Sequence, residues 1–162
     1  TKASGNDNTS ANPEVLVAIG DLAGSSSSTG LRTPTVTNLR YVVGSTATTD
    51  FTAGDGTQQV LVEVTWDEGV TVAGSPQITV VNGNQSSAGY GNHTLTYTAT
   101  GSTANRKRFV ATSRSLGNTD VLTTPAAIGL NSGTISDTVV GGTTLAALLD
   151  ISSVVAVHTV LS

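Results

Sequence analysis

The stretch Val60-Leu61-Val62-Glu63-Val64-Thr65-Trp66 decides the fold. Its side chains alternate, so Val60, Val62, Val64 and Trp66 share one face of an extended strand. Leu61, Glu63 and Thr65 share the other. Val and Thr are branched at Cβ and suit a pleated strand better than a helix. Trp66 closes the apolar face and is the expected anchor of the core.

Similar alternation recurs on the C-terminal side. Ile78 and Val80 alternate with Thr79, and Leu95, Tyr97 and Ala99 alternate with Thr94, Thr96 and Thr98. The turn signals Asp67-Glu68-Gly69, Ala73-Gly74-Ser75-Pro76 and Asn82-Gly83-Asn84 separate these runs. Short strands at this spacing predict an all-β sandwich or barrel. A length of 162 residues suits one domain with extensions, and a chain of that size buries roughly 68–70% of its unfolded surface. Thr, Ser, Gly, Asn and Val take the place of charged residues, which make up only 11%. That mixture favours strands joined by tight turns.

The two ends read differently. Residues 1–12 are polar and have the composition of a disordered segment. Val15-Leu16-Val17-Ala18-Ile19 follows as a short apolar run, and then Gly24-Ser25-Ser26-Ser27-Ser28-Thr29-Gly30 has flexible-linker composition. The apolar run is either a strand packed on its own domain or an arm that adds to a neighbour's sheet. Near the other end, Leu145, Leu148 and Leu149 have helical spacing after Thr143-Thr144, which predicts a short helix. From Val154 to Leu161 both strand faces are largely apolar. Such a strand belongs either in the middle of its own sheet or against another subunit.

Charge and composition exclude several functions. The net charge is -4 and the sequence pI is about 4.8. No broad basic surface remains to neutralise phosphates, so nucleic acid is not an expected partner. No apolar run approaches the roughly 18–20 residues of a membrane helix. Without cysteine there are no disulfides, thiolates or cysteine zinc sites. Residues 1–8 lack the apolar core of a signal peptide. The chain holds no Met, so Thr1 is read either as the residue left after removal of an initiator Met, or as the start of a trimmed mature fragment.

Little in the sequence points to catalysis. His93 and His158 are the only histidines, no Gly-x-Ser-x-Gly nucleophile motif accompanies them, and structural roles are expected for both. The adjacent carboxylates Asp67 and Glu68 point apart and read as a solvated turn. Asp50 and Asp55 flank a loop but lack the graded oxygen ligands of an EF-hand. No catalytic residue, cofactor or metal is therefore expected. The run Arg106-Lys107-Arg108, with Arg114 nearby, holds most of the positive charge. It is either a solvated strand end or an electrostatic contact with an acidic partner. Asn84-Gln85-Ser86 and Asn92-His93-Thr94 match glycosylation sequons, which chance produces in a chain this rich in Asn, Ser and Thr.

Residues 33–137 resemble the bacterial Ig-like repeats of large surface adhesins and swimming-motility proteins. The resemblance rests on an ordered set: Thr33-Pro34-Thr35-Val36-Thr37-Asn38, Phe51-Thr52-Ala53-Gly54-Asp55, Val60 to Trp66 and Val70-Thr71-Val72-Ala73-Gly74-Ser75-Pro76. It continues with Leu95-Thr96-Tyr97-Thr98 and Leu130-Asn131-Ser132-Gly133-Thr134-Ile135-Ser136-Asp137. It departs in residues 101–115, which are basic where the repeats are usually acidic, and in being a single copy.

The resemblance implies an Ig-like β-sandwich over residues 33–137, with a flexible arm over 1–32 and a short helix and strand over 138–162. Related domains decorate bacteriophage capsids, so it further implies a non-enzymatic capsid decoration (cement) protein on the virion surface. Its expected partners are the major capsid protein and sister subunits in a homo-oligomer. The expected contacts are Val15, Leu16, Val17 and Ile19 in the arm, Arg106, Lys107 and Arg108 in the body, and Val155, Val157 and Leu161 near the end. The alternative is an extracellular adhesin or tail-fibre domain that binds a receptor or glycan.

Overall fold

Alternating sequence becomes antiparallel strands throughout the computed structural model, which describes residues 33–43, 46–47, 57–83, 91–111, 114–115, 120–138 and 144–160. In chain order the strands are β1 (Val36–Val43), β2 (Thr46–Ala47), β3 (Thr57–Gln58), β4 (Leu61–Trp66), β5 (Val70–Ala73) and β6 (Gln77–Gly83). There follow β7 (His93–Thr98), β8 (Arg106–Val110), β9 (Arg114–Ser115), β10 (Val121–Thr123), β11 (Thr134–Asp137) and β12 (Val157–Thr159). The only helix among the described residues is a 3-10 turn at Ser152–Val154. The protein is all-β.

Eight strands form one sheet in the order β12-β10-β6-β7-β8-β4-β1-β2, and β11–β5 and β3–β9 form two small pairs. The register lines up one interior face. Tyr41 lies opposite Val62, Val62 opposite Phe109, and Phe109 opposite Tyr97. Leu95 lies opposite Ile78, and His158 opposite Leu122. At β1 a register shift between Val36 and Asn38 breaks the alternation, which lets both Val36 and Leu39 reach the core.

The sheet curls. Tyr41 on β1 and His158 on β12 belong to strands near opposite ends of the sheet order, yet their ring centroids are 6.0 Å apart. The interior face thus folds over onto itself. It encloses Trp66, Phe109, Ile78, Leu95, Leu122 and Ile151, all fully buried. Phe109 also meets Tyr97 edge-on at 6.2 Å.

The chain divides into two compact units, one of residues 33–138 and 146–162, the other of residues 1–32 and 139–145. All the strands above belong to the first. Of the second, only Thr144 and Leu145 are among the described residues, and neither is in a strand or helix.

Three local expectations change. The helix expected at Leu145, Leu148 and Leu149 does not form. The Ala147 N–H donates to Ile135 O (2.9 Å), the Leu148 N–H to Pro34 O (2.9 Å) and the Ile151 N–H to Ala126 O (2.8 Å). Backbone donors committed to residues far away in the chain cannot close helical turns. Instead, residues 146–151 lie along the core, where Ala147 and Ile151 are buried and Leu148 O accepts the Trp66 indole N–H at 3.4 Å.

The second change is at Asn82-Gly83, expected as a turn. There β6 continues, with Asn82 opposite Leu122 and Gly83 opposite Val121. The third is the apolar C-terminal strand. It is shorter than expected and lies at the edge of the sheet, not in its middle. His158 and Val160 are buried, while Val155 and Val157 are exposed, so the sheet covers one of its two faces.

Candidate functional site

The outer face of the sheet carries the two features that suit recognition. Each is dictated by strand register. Arg40, Glu63 and Arg108 are direct neighbours across β1, β4 and β8, and Arg106 is one pleat further along β8. They meet around one carboxylate. Arg40 Nη2 is 3.1 Å from Glu63 Oε1, Arg106 Nε is 2.8 Å from the same oxygen, and Arg108 Nη2 is 2.8 Å from Oε2. Arg108 Nε also donates to Oε2 at 2.9 Å.

The electrostatics of this cluster are lopsided. Burial by itself raises the Glu63 carboxyl pKa. The hydrogen bonds from Arg40 and Arg108 and the charges of Arg106 and Arg40 outweigh that and hold it below the ordinary range. The Glu63 side chain is 1% exposed, whereas those of Arg40, Arg106 and Arg108 are 44%, 34% and 14% exposed. Among the described residues three guanidiniums thus share one carboxylate, leaving two positive charges in excess in this cluster.

Lys107 takes no part in this cluster. Successive side chains on a strand point to opposite faces, so Arg106 and Arg108 face outward and Lys107 inward. Lys107 is buried, its Nζ donates to Thr103 O at 2.7 Å, and burial lowers its pKa. The basic run therefore does not form one patch. Arg114 lies on β9 opposite Gln58.

The second feature is the β12 edge. Val157 lies opposite Thr123, and Thr123 opposite Val81, so Val81 and Val157 share the outer face two strands apart. Both are exposed, Val157 by 63%, and Val155 is exposed just before the strand. Among the described residues β12 pairs only with β10. Its hydrogen bonds to that side come from alternate residues, with Thr124 N–H donating to Ala156 O at 3.0 Å and Val160 N–H to Asp120 O at 2.8 Å. In an antiparallel ladder the intervening Val157 and Thr159 peptide groups then face the side of β12 that has no partner strand among the described residues.

The other sequence candidates are placed as follows. His93 opens β7 and His158 lies on β12, both buried on the interior face. Asp67 sits in the turn between β4 and β5 and accepts the Thr35 N–H at 2.8 Å. No three His, Asp or Glu side chains among the described residues group as metal ligands. Val15, Leu16, Val17, Ile19 and Leu161 lie outside the described residues, as do Asp50, Asp55 and the sequon at Asn84.

Sequence reading missed Arg40, Glu63 and Val81 as site residues. For Val81 a signal existed: it follows the alternating Ile78 and Val80 out of phase, so it had to face outward. For Arg40 and Glu63 no local signal existed, because only register brings them together. Comparison with protein-family models, curated proteins and solved structures finds no match for this chain.

Proposed function

We propose that this chain is a non-catalytic Ig-like decoration protein of a bacteriophage capsid, which stabilises the shell by protein–protein contacts. The observation that carries the reading is the one-sided edge strand β12, with Val155, Val157 and Val81 exposed beside it. An apolar edge whose outer peptide groups have no partner among the described residues is a template for strand addition, and isolated proteins usually blunt such edges with charge or proline. The partner is the major capsid protein, or a sister subunit seated on it. Each occupied edge favours the assembled shell over its parts by mass action.

Two further points support the Ig-like reading. The pairing of β5 with β11 joins Val70-Thr71-Val72 to Thr134-Ile135-Ser136-Asp137, two of the motif stretches that carry the resemblance. The curled sheet also encloses its own apolar face, as the inner faces of a sandwich do.

The test is cosedimentation with capsids assembled from the shell protein encoded nearest to this gene. The unaltered chain should saturate them, and Val157→Lys should lose occupancy while keeping its thermal transition. Unchanged occupancy in Val157→Lys would remove the edge from the contact. A reproducible glycan-array signal without capsid binding would replace this reading with a receptor-binding one.

A further inference from the structure

The geometry points to a second recognition site, independent of the β12 edge: Arg40 and Arg106, organised by Glu63, bind a side-chain carboxylate of an acidic polypeptide partner. One guanidinium would be enough to neutralise Glu63, and Arg108 already holds its Oε2 through both Nε and Nη2. Arg40 donates one Nη2 hydrogen bond to Oε1, and Arg106 approaches the same oxygen as an ion pair, its Nε 2.8 Å away. A guanidinium carries five N–H donors in a planar fork, so each retains donors beyond those used on Glu63. Because both approach the same oxygen, Arg40 Nη2 and Arg106 Nε are no more than about 6 Å apart, which brings the two guanidiniums together at one point of the surface. Their side chains are also the most exposed of the three.

The site is held in place from below. The Arg108 N–H donates to Ser102 Oγ at 2.9 Å, and that hydroxyl donates to Thr98 O at 2.7 Å. Gly101 has φ +80°, and a Cβ there would collide with the Arg108 guanidinium. The β7–β8 turn is therefore shaped around Arg108, which fixes Glu63, which in turn fixes the two outer arginines. Preorganised guanidiniums lose little freedom on taking up a carboxylate.

Charge complementarity selects the occupant. The chain is acidic overall, at -4, yet this patch carries an excess of positive charge. The described positions next to it on the same face, Asn38, Val42, Leu61, Thr65, Val110 and Thr98, carry no charge. A nucleic acid or sulfated glycan presents anions in series and needs a track of cations. A patch for one anion, on an otherwise acidic molecule, fits a lone Asp or Glu presented by a polypeptide.

The test titrates the full chain with an end-capped peptide carrying one glutamate among Gly and Ser, at low ionic strength, by calorimetry and by the NMR shifts of arginine Nε–H groups. Binding should move the Arg40 and Arg106 signals and weaken as salt screens the contact. Arg40→Gln and Arg106→Gln should each reduce affinity about tenfold, the loss of one charge-assisted contact. Val157→Lys should leave it unchanged, which separates this site from the β12 edge. Absence of binding, or equal binding by the arginine variants, overturns the inference. Tighter binding of duplex DNA or of a sulfated oligosaccharide than of the peptide overturns the choice of carboxylate.

Discussion

Glu63 shows how one residue can be legible in pattern and illegible in role. Alternation alone places it on the face opposite Val62 and Val64. Its burial comes from three arginines closing over it. Because its pKa is lower folded than unfolded, the unfolded chain takes up the proton first as the pH falls. The stability it contributes is full above the ordinary glutamate value of 4.5 and is lost as the pH drops through the lower folded value. Glu63→Gln should therefore be less stable than the unaltered chain by about 2 kcal/mol at neutral pH. The gap should narrow below that ordinary value. Urea titrations of both chains across the acid range measure the difference. A gap that is flat with pH would show that the arginines do not stabilise the ionised carboxylate.

At the scale of elements, the turn Leu130-Asn131-Ser132-Gly133 sets the course of β11. Asn131 and Ser132 have φ of 47° and 64°, in the left-handed region. Left-handed backbone costs an L-residue about 1–2 kcal/mol, part of which glycine gives back through its freer unfolded chain. Ser132→Gly should therefore stabilise the protein by about 0.5 kcal/mol. Gly133 works by closeness: a Cβ there would lie 2.5 Å from Ala73 O and 3.0 Å from Leu130 O. Gly133→Ala must push backbone apart and should cost at least about 2 kcal/mol. Thermal melts of the two variants should move in opposite directions. The β12 edge behaves differently again. Val157 is mostly exposed, so Val157→Lys should change stability by less than about 0.5 kcal/mol, which makes it a clean probe of binding.

For the molecule as a whole, the decisive feature is that its end completes its core. Residues 146–160 belong to the same compact unit as residues 33–138. They supply Ala147, Ile151 and Val160 to the core and the His158 ring that meets Tyr41 across the curl. Tyr41 is buried deeply enough that its phenol pKa is raised above the ordinary value. A chain ending at Thr138 should therefore lose its cooperative thermal transition. Ile151→Ala should cost about 2–5 kcal/mol while still folding. Trp66 is the only tryptophan, so its fluorescence reports directly on the core it anchors. It should be red-shifted in the truncated chain and unshifted in Ile151→Ala. A truncated chain that melts cooperatively with buried Trp66 would show that residues 139–162 are dispensable to the core.

The sequence by itself determined that this chain is all-β, where β4 runs, and that Trp66 anchors the core. It also showed the inward alternation of Ile78, Val80 and Leu95. These follow from a period of two and from turn chemistry, both properties of neighbours along the chain. Tertiary structure decided the rest. It turned the expected helix near Leu148 into core-lining chain by giving its backbone donors to carbonyls far away in the chain. It placed the C-terminal strand at an edge, and it split Arg106-Lys107-Arg108 between two faces. It drew Arg40 and Glu63 into one cluster although 23 positions separate them. Register and curl depend on contacts between residues far apart in the chain, and no local pattern encodes which strand takes the end of the sheet order or which charges meet.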